Sequence, residues 1–346
     1  MTPLLGKTQD ELQRIAQEAG SRSFVGKQLA HWLYVKRVCS FEEMTNLPQY
    51  FRQWLTEHYV VGRTAPVAHT VSEDGTCKYL FEVMSEKGKT YVETVWLPDN
   101  DRATLCVSTQ AGCRMGCKFC MTGTLGFMQH LSAADILNQI FTVDALHGGT
   151  LTNIVYMGEG EPLDNIDEVI RSISVMTSDY GCGWSPHRIT VSTVGCLPNI
   201  KRFLDSCDCH LAVSLHNPFP GQRAELMPAE RAWHIEEVLE VLRQYDFGRQ
   251  RRLSFEYICF GGINDTLPYA KQLVRLLHNL PCRINLIRFH TNNNTTSLPS
   301  SDEQRMESLR DWLTAHGITT TIRKSRGEDI LAACGMLVNK LKSELP

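Results

Sequence analysis

The sequence predicts an α/β protein in two parts, and three observations predict it. Its 346 residues exceed one average domain, unless one of the parts is a large α/β barrel. Apolar residues recur every three to four positions over the first ~60 residues, the spacing of amphipathic helices. From Val67 the period becomes two, and strand patterns then alternate with helical ones. About six βα units in a row imply a parallel sheet, open or curled into a partial barrel.

The elements follow in chain order. Thr8-Gln-Asp-Glu11 has the spacing of a capping box, opening a helix through Leu12, Ile15 and Ala16 that Gly20 can close. Phe24 to Lys36 and Phe41 to Tyr59 carry further helical spacings, and Phe24, Leu29, Trp32 and Leu33 are expected to form a small helical core. Lys78–Met84 and Tyr91–Leu97 read as paired strands turned by Glu86-Lys-Gly-Lys89. Further strands are expected at Thr104–Ser108, Asn153–Met157, Arg188–Ser192, His210–Leu215, Arg252–Cys259 and Arg283–Phe289. Helices are expected between them, at Ser132–Leu146, Ile166–Thr177, Leu197–Leu204, His234–Tyr245, Leu267–Leu280 and Asp302–His316. The turn-rich loop Thr291–Ser300 reads as a mobile lid. The chain thus divides into a helical part (1–65), a β-hairpin linker carrying Glu93 (66–100) and the βα array (101–346).

Composition narrows the function classes. Hydrophobic residues make up 42% and charged residues 21%, which supports a sizeable core and excludes wholesale disorder. The segment Met1–Lys7 lacks a basic-then-apolar leader, and no apolar run approaches the ~20 residues that span a bilayer. A soluble cytoplasmic protein without membrane contact is expected. A net charge of −3 excludes a uniformly basic nucleic-acid coat but not local basic patches such as Lys36-Arg37, Arg249-Gln-Arg-Arg252 and Arg323-Lys-Ser-Arg326. Thirteen cysteines without a leader point to metal or redox chemistry rather than a disulfide framework.

Three of them cluster. Cys113-Arg-Met-Gly-Cys117-Lys-Phe-Cys120 follows the first strand of the array, where such folds place their chemistry. Three thiolates within eight residues can wrap one inorganic cluster while Gly112 and Gly116 relax the backbone. A [4Fe–4S] cluster takes four ligands, so three leave one iron open. Zinc is the competing metal, but it prefers C-x2-C pairs with a fourth Cys or His, and His130 has no recommending spacing.

This motif resembles that of the radical S-adenosylmethionine superfamily. Arg102-Ala-Thr-Leu-Cys-Val-Ser108, Tyr156-Met-Gly-Glu-Gly-Glu-Pro-Leu163, Ile189–Gly195, Ser214-Leu-His216, Glu225-Leu-Met-Pro228 and Arg326–Gly335 extend the likeness in order. Together they resemble the dual-specificity rRNA/tRNA adenine-C2 methyltransferases of the RlmN type, sisters of the C8-specific Cfr type. The likeness runs from about Phe24 to Leu337. It implies a partial (βα)6 TIM-like barrel behind an N-terminal helical domain that holds RNA. It also implies methylation of adenosine carbon 2 in 23S rRNA and tRNA, an electron donor such as flavodoxin, and a monomer. Pro162 after Gly160-Glu161 favours C2 over C8, because Cfr-type relatives often carry Ala there.

The resemblance also assigns roles. Cys113, Cys117 and Cys120 would ligate the [4Fe–4S] cluster. Gly160, Glu161, Ser192, Ser214, Leu215, His216 and His290 would contact S-adenosylmethionine. Many relatives show Asn at the place of His290, and the family usually has Met at the place of Glu159. Cys334 would accept a methyl group and carry it to carbon 2. Cys106 would then release the covalent adduct by closing a disulfide with Cys334. Glu93 would accept the proton from carbon 2; taken alone it reads as a solvent-facing acid in an alternating strand. The remaining cysteines read as core or incidental residues.

Overall fold

The computed structural model describes residues 1–85, 88–248, 251–291 and 298–337. One ten-stranded sheet organises the chain. Its strands are β1 (Ala68–Val71), β2 (Cys77–Ser85), β3 (Gly88–Asp99), β4 (Arg102–Cys106), β5 (Asn153–Tyr156), β6 (Ile189–Thr193), β7 (His210–Ser214), β8 (Leu253–Cys259), β9 (Arg283–Arg288) and β10 (Thr319–Ile322). Spatial order follows chain order throughout. The first three strands form an antiparallel ribbon joined to β4, and β4 to β10 are all parallel. A parallel sheet that advances in one direction, with helical crossovers and unjoined ends, is a partial barrel.

Both faces of the parallel strands are buried, so they carry near-continuous apolar runs such as His210-Leu-Ala-Val. Leu105, Ile154, Val191, Leu211, Phe255 and Leu286 share one core cluster with Ile140, Phe141, Val169, Ile173 and Phe203 of the helices. The helix Ala133–Leu146 opens on Ser132, which forms a reciprocal capping box with Asp135. Helix Ile166–Thr177 has the bounds read from the sequence. Leu267–Leu276 stops short of its expected end at Leu280.

The capping box at Thr8 forms as expected, with Thr8 N donating to Glu11 Oε2 at 2.6 Å and Glu11 N to Thr8 Oγ1 at 3.3 Å. Three other expectations for this half need correction. The second helix is α-helical only over Ser23–Ala30 and becomes a π-helix over His31–Lys36. The third helix is confined to Gln49–His58, because Pro48 sets its start; Phe41, Met44 and Leu47 are buried from a loop. Phe24 is 53% exposed rather than in the core, since the helix turns Val25 and Leu29 inward instead.

The array also holds a seventh parallel strand, β10, whose polar Thr319-Thr-Thr-Ile322 hides it from an apolar-period reading. A short antiparallel pair, Gln110–Gly112 with Phe127–His130, brackets the three-cysteine loop and is likewise additional to the expected elements. The turn residues 86–87, the bulk of the expected lid (292–297), and Arg249 and Gln250 lie outside the described residues.

Candidate active site

The C-terminal ends of the parallel strands surround two adjoining cavities. The first, about 170 Å³, is lined by Cys106, His290, Arg323 and Cys334 among others. The second, about 140 Å³, is lined by Cys113, Cys117, Cys120, Gly160, Glu161, Ser192, Ser214 and His216. Cys120, Met157, Gly158, Arg323, Cys334 and Gly335 belong to both walls.

The cysteine loop is held at three points. Cys113 N donates to Gly126 O at 3.0 Å, Lys118 N to Leu226 O at 2.9 Å and Met121 N to Gly335 O at 2.8 Å. Gly112 is obligatory, with φ +69° and a Cβ position only 1.9 Å from Gly126 O. Burial raises all three thiols above their ordinary range, Cys113 to about 12. A cation arriving among them would reverse that effect.

Gly160 has φ +99°, and a Cβ there would lie 2.5 Å from the Gln110 side chain. The Glu161 carboxylate is spread over two backbone donors, Leu163 N at 3.0 Å and Val194 N at 2.8 Å. Burial nevertheless pushes it up to about 7. His216 sits in the left-handed region, φ +51°, with its ring edge-on to Phe119. Ile258 N–H donates to His216 Nδ1 at 3.0 Å, so the neutral ring carries its proton on Nε2. Burial, then the charge of Arg223, lowers its pKa to about 3, which keeps it neutral.

Cys106 and Cys334 both line the first cavity. Cys106 ends β4, in register with Val95 of β3 and Val155 of β5. Cys334 is exposed where its segment roofs the first cavity. Burial, then the charge of Cys334, pushes the Cys106 thiol well above its ordinary range. Protein atoms crowded around the Cys334 sulfur partly desolvate it and raise its pKa too, opposed by the Arg323 guanidinium. Arg323 is itself held by Glu256 at 3.4 Å and donates to Met157 Sδ at 3.5 Å.

Residues 2–61 match the ribosomal RNA large subunit methyltransferase N-terminal domain, and residues 107–277 match the radical SAM superfamily. A probable dual-specificity RNA methyltransferase RlmN of Phocaeicola vulgatus is 54% identical over 97% of this chain and 95% of its own length. The RlmN of Syntrophobacter fumaroxidans is 41% identical over 96% of each. The chain belongs to the RlmN family. The crystal structure of a radical SAM methyltransferase from Sphaerobacter thermophilus superimposes with a TM-score of 0.90, at 36% identity, over 97% of this chain and 99% of that one.

Radical SAM membership implies a [4Fe–4S] cluster and S-adenosylmethionine, and the second cavity suits them. Three thiols of one loop share its wall with the Gly160 cradle and the neutral His216.

Not every expected RlmN site residue reaches the cavities. The Leu215 side chain is in the main core, and its carbonyl accepts from Arg223 Nε at 3.1 Å. His290 lines the first cavity rather than the second, with Nε2 2.8 Å from Ser325 Oγ. Glu93 lines neither; it is wholly buried, not solvent-facing, and lies 3.0 Å from the Lys78 ammonium. Some members of the basic groups turn inward, while Lys36, Arg252 and Lys324 are exposed. Arg37 pairs with Asp144 at 2.5 Å, and Arg251 donates to Leu204 O at 2.9 Å. Sequence reasoning missed Lys78 and Glu256, because isolated charges in strands read as solvent-facing, and the inward Arg323, because a run of basic residues reads as surface.

Proposed function

We propose that this chain methylates carbon 2 of adenosine in both 23S rRNA and tRNA, working as a cytoplasmic monomer. The observation that carries this reading is that Cys106 and Cys334 line one cavity adjoining the three-cysteine pocket. A radical enzyme acting on a small molecule has no need of that second thiol pair.

Cys113, Cys117 and Cys120 would hold the cluster, and Gly160, Glu161, Ser192, Ser214 and His216 would hold S-adenosylmethionine. When bound, these groups supply a methyl group and a hydrogen-abstracting radical. Carbon 2 of adenine is electron-poor and cannot take a methyl group by simple displacement. Cys334 therefore carries the carbon as a thioether and becomes covalently joined to carbon 2. By the family likeness, Glu93 would accept the proton leaving carbon 2 from its buried place behind the cavity walls. Cys106 sulfur then bonds to Cys334 sulfur, the carbon–sulfur bond breaks, and the freed carbon takes a proton to become the methyl group. An electron donor such as flavodoxin serves the cluster.

To enter the cavity the adenine must leave its stack, which favours an unpaired loop base. The helical residues 1–65 would hold the folded RNA, and the hairpin of 66–100 would carry Glu93 to the thiols. Mass mapping of RNA from a deletion strain tests the reading. Loss of 2-methyladenosine from both RNAs supports it. Loss of 8-methyladenosine, or no change, overturns it.

A further inference from the structure

The polar surroundings of Glu93 are a built device. Lys78 and Glu93 are diagonal neighbours on β2 and β3, since Lys78 faces Val95 and Leu80 faces Glu93. Their side chains are 2% and 0% exposed and 3.0 Å apart. The same ammonium donates to the carbonyl of Leu331 at 3.5 Å, three residues before Cys334. The Glu93 backbone is fastened as well. Its N–H donates to Glu159 Oε1 at 2.8 Å, and its carbonyl accepts from Ser108 Oγ at 2.6 Å. Ser108 Oγ in turn accepts from Glu159 N at 2.8 Å, in the turn that carries Gly160 and Glu161. Val95, opposite Lys78, packs with Cys106, Ala332 and Leu337. Glu93 is thereby tied to both cavities at once.

Burying an ammonium and a carboxylate is costly, and apolar residues of similar volume commonly replace such a pair without loss of stability. Stability alone gives little reason for Lys78. We propose that Lys78 is a positioning residue for proton removal, holding the Glu93 carboxylate and the Leu331 carbonyl in one frame. The inference rests on Glu93 being the proton acceptor. In the step it serves, the carbon 2–hydrogen bond breaks and the proton passes to the Glu93 carboxylate. No other group gains or loses a proton in that step.

The test uses the full chain, reconstituted with iron, sulfide and S-adenosylmethionine, and a tRNA transcript. Lys78→Met should lower kcat by about 10²–10⁴-fold, the range of a lost general base, with KM for RNA within about threefold of the parent. It should also accumulate protein–RNA adduct through Cys334. In the RNA-free protein, amide exchange over residues 331–337 should rise at least about tenfold in Lys78→Met and stay at the parental rate in Glu93→Gln. Should Lys78→Met fail to fold, Lys78→Met/Glu93→Gln removes both charges, and its exchange must still exceed that of Glu93→Gln. Near-parental turnover in Lys78→Met, or equal exchange in the two single variants, overturns the inference. Normal turnover in Glu93→Gln instead overturns the acceptor assignment on which it rests.

Discussion

Cys106 at the end of β4 and Cys334 in the C-terminal segment line one cavity, although almost the whole barrel separates them in sequence. Unequal jobs for these thiols give an asymmetric prediction. Cys334→Ala has no sulfur to carry the carbon, so no RNA becomes attached and no methyladenosine forms. Cys106→Ala still makes the attachment but lacks the resolving thiol, so a protein–RNA adduct survives a denaturing gel and disappears with nuclease. Normal turnover by Cys106→Ala would reduce that residue to packing.

The cluster assignment predicts a spectroscopic outcome. Replacing Cys113, Cys117 and Cys120 together by Ala removes the only protein ligands assigned. Anaerobically reconstituted protein should then lose the broad absorption near ~400 nm and its bound iron, and should no longer cleave S-adenosylmethionine. Iron content at the parental level in the triple variant refutes the assignment.

Much of this was legible in the sequence, for identifiable reasons. The six βα units show because doubly buried strands are apolar and their helices amphipathic. The cluster loop shows because its spacing is dense. Strand β10 escapes because Thr319, Thr320 and Thr321 carry no apolar alternation. Glu93 and Lys78 escape because period two assigns a charged residue to the wet face, whereas both faces of this ribbon are covered here. Arg323 escapes because a run of basic residues reads as surface, and only the fold shows Glu256 drawing it inward.

Arg323 bears on the Cys334 thiol through its charge and a hydrogen bond, both of which lower the thiol pKa against the local desolvation that raises it. Arg323→Met should raise that pKa and shrink the thiolate fraction at any pH below it. If the pKa rises by about one, the thiolate falls about tenfold. Alkylation of Cys334 by iodoacetamide at pH 8, followed by peptide mass spectrometry, should slow by about that factor. An unchanged rate separates Arg323 from the thiol.

The loops that form the second cavity depend on a buried cation. Arg223 is fully buried, pairs with Glu230, and donates to Val194 O and Ser214 O at 2.8 Å each. Arg223→Met leaves Glu230 buried without its cation and takes a donor away from the carbonyls of Val194, Ser214 and Leu215. A loss of roughly 3–5 kcal/mol is expected, because a broken buried pair exposes the survivor's full desolvation cost. Urea unfolding measures it, and a loss below about 1 kcal/mol would show that water replaces the guanidinium.

Glu159 predicts a pH dependence of stability. It accepts from Glu93 N at 2.8 Å and Gly112 N at 3.4 Å, and it is wholly buried. Burial, assisted by the Glu93 charge, raises its pKa from 4.5 to about 8 despite those two amides and the Lys78 charge. The folded protein therefore binds this proton more tightly than the unfolded chain does. A group raised in this direction stabilises the fold fully below pH 4.5, and the contribution is lost as pH rises toward 8. Its share of the slope cannot exceed about 1.4 kcal/mol per pH unit, the value for one proton. Glu159→Gln keeps an oxygen acceptor and has no proton to lose. Relative to the parent, the variant should gain stability steadily in urea unfolding series between pH 5 and pH 8. A parent-to-variant difference independent of pH would mean that the carboxylate is ionised in the fold, leaving Lys78 to serve two buried anions.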